Sequence, residues 1–144
     1  GNNPIKTLEE AEKIISFFHL QYKERGIGRL ACVEKSSGKF IGWAGLKLNL
    51  GEKEILNGYT DFIDIGYRLL PNFWGKGYAT EASLASIEYG FKKLKYNIIY
   101  GAADVDNIGS NKVLNKIGLG FKNKFMFKGC TCNWYELKKE NYEY

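Results

Sequence analysis

Hydrophobic positions along this chain change period several times. Leu8, Ala11, Ile14, Ile15, Phe18 and Tyr22 recur at helical intervals behind Thr7-Leu8-Glu9-Glu10, which has the spacing of a capping box, and Gly26 ends the run. The first element is therefore a helix. Residues 29–35 and 39–48 read as two strands joined at Ser36-Ser37-Gly38, and residues 49–58 as a loop. Residues 59–70 hold a β-favouring run that stops at Pro71. Ala79, Ala82, Leu84, Ile87, Phe91 and Leu94 then trace an apolar stripe down a second helix, with Glu81 in the first turn, where the helix dipole favours an acid. Residues 97–103 are apolar enough for a strand buried on both faces, so strand, helix and strand form a parallel crossover unit. Asp104 to Asn107 caps a third helix that turns Val113, Leu114 and Ile117 inward and stops at Gly118 and Gly120. Residues 121–128 and 131–138 close as an antiparallel pair. With no repeat or interior linker, the pattern predicts one α/β domain over residues 1–144 with a mixed sheet.

Composition adds exclusions. The 144 residues are 44% hydrophobic and 26% charged, ordinary for a globular chain with a proper core. No run of about 18 apolar residues and no leading signal segment is present, so the cytoplasm is the expected compartment and no membrane partner is expected. The three cysteines, Cys32, Cys130 and Cys132, are odd in number. Two cysteines one residue apart on one strand have Cα atoms about 6.6 Å apart, at the edge of disulfide reach. They are expected to be reduced and mostly packing, and with a single histidine, His19, no metal site is expected. The net charge of +5 admits an anionic ligand, but the lysines are spread along the chain rather than gathered, so nucleic acid is not the expected partner.

The stretch Pro71-Asn72-Phe73-Trp74-Gly75-Lys76-Gly77-Tyr78-Ala79-Thr80 carries the first candidate chemistry. A glycine-rich turn between a strand and a helix brings backbone N–H groups close to an anion, and the helix dipole points there too. It is not a Walker loop, because position 70 is Leu and Gly77 follows Lys76. A dinucleotide fingerprint would need Gly or Ala at Thr80 and a longer doubly wound sheet.

The order of elements and this turn resemble the GNAT superfamily of acetyl-CoA-dependent N-acetyltransferases, in particular the branch of ribosomal-protein-alanine acetyltransferases RimJ and RimL. The family turn reads Gln or Arg, two residues, Gly, one residue, Gly or Ala; Asn72-Phe73-Trp74-Gly75-Lys76-Gly77 departs only at its first position. Trp74 to Ala82, the segment Asn107-Ile108-Gly109-Ser110-Asn111-Lys112-Val113-Leu114 and the ending Trp134 to Glu140 are similar to the branch's wording. The family's first strand, an Arg-Leu-x-Leu-Arg run, has no match, so a truncated or partly represented domain is expected. The resemblance implies a mostly antiparallel mixed sheet with a central, splayed parallel strand pair flanked by helices. It implies acetyl-CoA as cosubstrate, bound by Asn72, Trp74, Gly75, Lys76, Gly77, Tyr78, Ala79 and Thr80, with the pyrophosphate cradled by backbone N–H groups from about Trp74 to Ala79. The pantetheine arm would lie along Leu69 and Leu70, near Asn107, Ser110 and Asn111, and an N–H at Leu69 or Leu70 would stabilise the thioester oxygen as it gains charge.

The implied reaction is direct acetyl transfer to a primary amine, a protein N-terminus or a small amine. Asp64, just before Gly66-Tyr67-Arg68, is the candidate base, acting through a water. Many family members place a tyrosine acid seven residues after the asparagine, where this chain has Leu114. Ser110, Tyr135, a water or the amine's own proton is left to protonate the thiolate. Trp43, Trp74, Tyr59 and Tyr67 are candidate acceptor-pocket aromatics. A monomer or homodimer is expected. The alternative is a non-catalytic acyl-CoA-binding regulatory domain, motivated by Leu114 and Asn72; an RNA-binding module would require a steep salt dependence of RNA affinity.

Overall fold

The computed structural model describes residues 4–142. Thr7 caps the first helix as its spacing predicts. Its hydroxyl accepts the Glu10 N–H at 3.1 Å, while the Glu10 carboxylate accepts the N–H of Lys6, one residue earlier than a capping box requires, at 2.8 Å. Helix α1 (Leu8–Arg25) ends at Gly26, whose φ of 69° suits glycine. The helical period predicts α1 but not its burial: Leu8 is 77% exposed, and Ile15 is exposed as well. The helix meets the sheet through Phe18, whose ring stands edge-on to Trp43 at 5.7 Å, and through the Tyr22 hydroxyl, which donates to the Gly28 carbonyl.

Among the described residues six strands follow: β1 (Leu30–Val33), β2 (Phe40–Asn49), β3 (Phe62–Leu69), β4 (Ile98–Asp104), β5 (Gly120–Phe127) and β6 (Cys130–Lys138). Helix α2 (Tyr78–Lys92) joins β3 to β4, and α3 (Ile108–Lys116) joins β4 to β5. The sheet order is β1-β2-β3-β4-β6-β5, antiparallel throughout except for β3 and β4. This is the mixed, mostly antiparallel α/β architecture that the sequence implies. β1 is shorter than residues 29–35 because Glu34 leaves the ladder for the turn, where its carbonyl accepts the Gly38 N–H at 2.8 Å. β3 starts later than residue 59 because Asn57 and Gly58, both at positive φ, make a tight turn that bridges Leu56 to Tyr59.

Alternation along the strands divides the core in two. Ile63, Ile65, Ile99, Tyr135 and Leu137 face one way and form one core cluster with Ile87 and Phe91 of α2, Leu114 of α3 and Ile117 just after α3. Phe62, Tyr100 and Trp134 face the other way in an aromatic cluster joined by Tyr59 and Phe125. On α2 the expected inward Leu84 is exposed, and its neighbour Ser83 is buried instead, alongside Ile87 and Phe91. Cys132 is buried, Cys130 exposed, and all three thiols are free. Among the described residues no helix is long and apolar enough to cross a membrane, and no group of metal-ligating side chains gathers.

Candidate active site

The ladder between β3 and β4 consists of a single register pair, Asp64 with Tyr100. Beyond it the parallel strands part, as a splayed pair must. The Leu70 N–H donates to the Ile41 carbonyl at 2.8 Å, so Leu70 is tied to β2. Antiparallel pairing alternates, and the amides of Tyr67 and Leu69 therefore point the other way, into the opening toward β4. Of the two N–H groups expected to meet the thioester oxygen, the one at Leu69 is available and the one at Leu70 is not. The Leu69 carbonyl accepts the Trp74 indole N–H at 2.8 Å, which fixes the turn to the end of β3 and leaves the indole 66% exposed.

A short 3-10 turn, Pro71–Phe73, carries exposed Asn72 and leads to Gly75 and Gly77 at φ 72° and 83°. Both lie in the left-handed region, where a Cβ is strained, and nothing stands within 4 Å of where either Cβ would be. Gly77 is the N-cap of α2 without a side-chain cap. The first carbonyl bond into the helix runs from the Glu81 N–H to Gly77, so no backbone carbonyl of the described residues accepts the N–H groups of residues 75–80. A cradle of amides, a helix N-terminus and open space fit a pyrophosphate. The Lys76 ammonium lies 5.3 Å from the Phe73 ring centroid. Tyr78 contributes only its backbone there, because its hydroxyl donates to Glu34 in the β1–β2 turn. That hydrogen bond is the main reason the Glu34 carboxyl lies below its usual range and the Tyr78 phenol above its own. Ala79 and Thr80 are half-buried in the first turn.

Across the opening, Asn107 caps α3, its side-chain oxygen accepting the Ser110 N–H at 3.1 Å. Asn111 was expected at the cofactor, but its amide is fully used inside the fold. Its nitrogen donates to the Asp104 and Asn107 carbonyls at 2.9 and 2.8 Å, and its oxygen accepts from Asn133 and from the Tyr135 hydroxyl at 2.9 and 2.7 Å. Two donors and two lone pairs are all an amide has. Asn111 therefore holds β6 against the start of α3, and the Tyr135 proton is committed to it. Leu114 is 1% exposed in the core, so the usual tyrosine position offers no hydroxyl.

Another hydroxyl meets α3 about one turn earlier, from β3. The Tyr67 hydroxyl lies 2.9 Å from the Ser110 carbonyl and 3.0 Å from its Oγ. A carbonyl only accepts, so Tyr67 donates to it and the Ser110 hydroxyl is left to donate to Tyr67. Burial pushes the Tyr67 phenol up to about 12, the Ser110 hydrogen bond offsetting part of that rise. It is a neutral proton donor throughout the ordinary pH range.

Asp64 and Ser110 are not brought together. Asp64 is three residues before Tyr67 on β3 and so projects to the other face, with Trp43 and α1. There its Oδ1 accepts from Arg29 at 2.9 Å. The candidate base and the hydroxyl pair thus flank the opening from opposite faces of the sheet. Arg29 was not legible as a site residue, since it lies 35 positions from Asp64 with no pattern linking them. The place of Tyr67 could have been read from strand alternation alone.

Residues 2–120 match the acetyltransferase (GNAT) domain family, and the chain belongs to it. It is 42% identical over 79 residues to the uncharacterized N-acetyltransferase YnaD of Bacillus subtilis, a match covering 55% of this chain and 45% of YnaD. It is 32% identical over 114 residues to the uncharacterized N-acetyltransferase p20 of Bacillus licheniformis, covering 79% of this chain and 60% of p20. The chain spans less than two thirds of either relative. Among solved structures, the ribosomal-protein-S5-alanine acetyltransferase of Vibrio fischeri superposes with a TM-score of 0.74 at 18% identity, over 98% of this chain and 80% of that one. At that identity the likeness is one of fold.

Proposed function

We propose that this domain transfers the acetyl group of acetyl-CoA directly to a primary amine. The observation that carries this reading is the opening after Asp64 and Tyr100, lined by the outward amides of Tyr67 and Leu69 and continuous in sequence with the uncapped turn at Gly75 and Gly77. Acetyl-CoA supplies the thioester, at which the amine nitrogen forms a C–N bond as the C–S bond breaks. The residues 75–80 hold the pyrophosphate through backbone N–H groups. The Leu69 N–H receives the carbonyl oxygen as charge develops there, and Asn107 and Ser110 border the arm at the start of α3. Asp64 takes the proton lost by the nitrogen, through a water, and later returns it to solvent. Tyr67 swings its O–H from the Ser110 carbonyl to the departing sulfur, the Ser110 hydroxyl donates to the phenolate that forms, and solvent restores the proton.

A protein N-terminus is the acceptor we favour, because the neighbours in fold include a ribosomal-protein-alanine acetyltransferase. An α-amino group, with a pKa near about 8, also yields more free amine near neutrality than a lysine at about 10.4. The test is calorimetric titration of the purified chain with acetyl-CoA, followed by thiol release against a panel of peptide N-termini and small amines. Binding with amine-dependent release is expected. Binding without release for any amine moves the reading to a non-catalytic acyl-CoA-binding domain, and no binding removes both.

A further inference from the structure

We infer that Arg29 is a positioning residue that aims the Asp64 carboxylate into the opening, and that position 66 is glycine to make room for it. Arg29 lies just ahead of β1, yet its side chain crosses under the sheet to β3. Its Nη1 donates to the carbonyls of Gly45 and Asp64, the latter at 3.1 Å, and its Nη2 donates to Asp64 Oδ1 at 2.9 Å. One guanidinium thus grips both the main chain and the side chain of the same residue. That geometry fixes the Asp64 rotamer, and among the described residues Oδ2 accepts no hydrogen bond. The pair is enclosed, at 8% exposure for the Arg29 side chain and 18% for Asp64, with the guanidinium carbon 5.6 Å from the Trp43 ring centroid.

Gly66 supplies the independent observation. Its φ is outside the left-handed region, so the backbone does not call for glycine. A Cβ there would stand 2.5 Å from Arg29 Nη2 and 2.6 Å from Cζ. The ion pair of Asp64 is with Arg29, at 2.9 Å. Lys47, opposite Asp64 on β2, is 3.4 Å from Glu54 instead; Tyr100 is its partner on β4; and Glu136, beyond Tyr100, pairs with Lys122. A simple staple between β1 and β3 would need only the two carbonyls. Gripping the carboxylate at the last paired residue before the strands part aims Oδ2 at the reacting nitrogen.

This inference rests on the reading of Asp64 as proton acceptor, and the test separates the two. Arg29→Met, Asp64→Asn, their double variant and Gly66→Ala are compared by kcat, by KM for acetyl-CoA and by guanidinium NMR of Arg29. Arg29→Met is expected to lower kcat about tenfold or more, the scale of impaired general-base catalysis, with KM for acetyl-CoA nearly unchanged. Adding Arg29→Met to Asp64→Asn should change kcat no further, because the arginine acts only through that carboxylate. Gly66→Ala keeps both charges but displaces the guanidinium, so it should reproduce the kcat loss even if Arg29→Met fails to fold. The separate, slowly rotating Nη–H signals of Arg29 should collapse in Asp64→Asn and Gly66→Ala. Full kcat in Asp64→Asn would remove Asp64 as base and this role with it. A loss in Asp64→Asn with none in Gly66→Ala and Arg29→Met, or the same loss from Arg29→Met in the Asp64→Asn background, would overturn the role of Arg29 alone.

Discussion

Tyr67 occupies an unusual position for a phenol. It is anchored on β3, mostly buried on the helix-covered face, and its hydroxyl reaches across the opening to Ser110 on α3. If it protonates the departing thiolate, Tyr67→Phe should lower kcat about 10²-fold, the scale of general-acid catalysis, with KM for acetyl-CoA little changed. Ser110→Ala should cost less, because Tyr67 keeps its own proton. Steady-state kinetics of both variants decides this, and an unchanged kcat in Tyr67→Phe would pass the role to water. The same residue predicts a stability signature. Its phenol titrates at about 12 when folded and near about 10 when unfolded. Below pH 10 both states are protonated and the native state bears no penalty; between pH 10 and 12 the unfolded chain ionises first and stability is lost. Tyr67→Phe removes that loss, so its stability relative to the natural chain should rise by about 2–3 kcal/mol across this window, measured by denaturant unfolding at each pH.

At the scale of elements, α3 carries a buried leucine where many family members have a tyrosine, and the phenol that meets this helix comes from β3. Leu114 fills the space in front of Gly101, and its Cδ2 would lie 2.7 Å from any Cβ added there. Leu114→Tyr should therefore not create an acid. Overpacking should destabilise the fold by about 1–3 kcal/mol, read as a lower unfolding midpoint, without raising kcat. The glycine turn is the opposite case, exposed and governed by dihedral angles. Gly77→Val forces a β-branched residue to φ 83° and should cost about 1–2 kcal/mol while weakening acetyl-CoA binding, as calorimetry would show. Helices, strands and this turn were legible in the sequence because periodicity, caps and glycines act within a few residues of each other. What α1 buries was not, because its apolar Leu8 and Ile15 look inward by spacing and stand exposed in the structure. The long-range contacts of Asn111 and Arg29 were equally hidden. Each reaches partners more than 20 residues away, Asn133 and Tyr135 for one and Asp64 for the other.

Over the whole molecule the sheet acts as a partition. One face is covered by α2 and α3, the other carries α1 and the aromatic cluster around Trp134, and between them β3 and β4 pair only at Asp64 and Tyr100. A ligand threaded there and seated on the α2 terminus would touch β3, α2 and α3 together, elements that the unfolded chain cannot assemble. Binding must then raise stability by mass action, by about 2.7 kcal/mol at a concentration of 100 times Kd. For a chain of this size that corresponds to a midpoint increase of roughly 5–10 °C. The net charge of +5 adds a long-range attraction for the anionic ligand, which salt screens. The backbone N–H contacts are short-range and should persist. Thermal melts with acetyl-CoA at low and high salt should show a shift that shrinks but survives. Loss of the whole shift at high salt would mean that the lysines, rather than the cradle at residues 75–80, hold the ligand, and no shift at either salt would remove the binding site from the opening altogether.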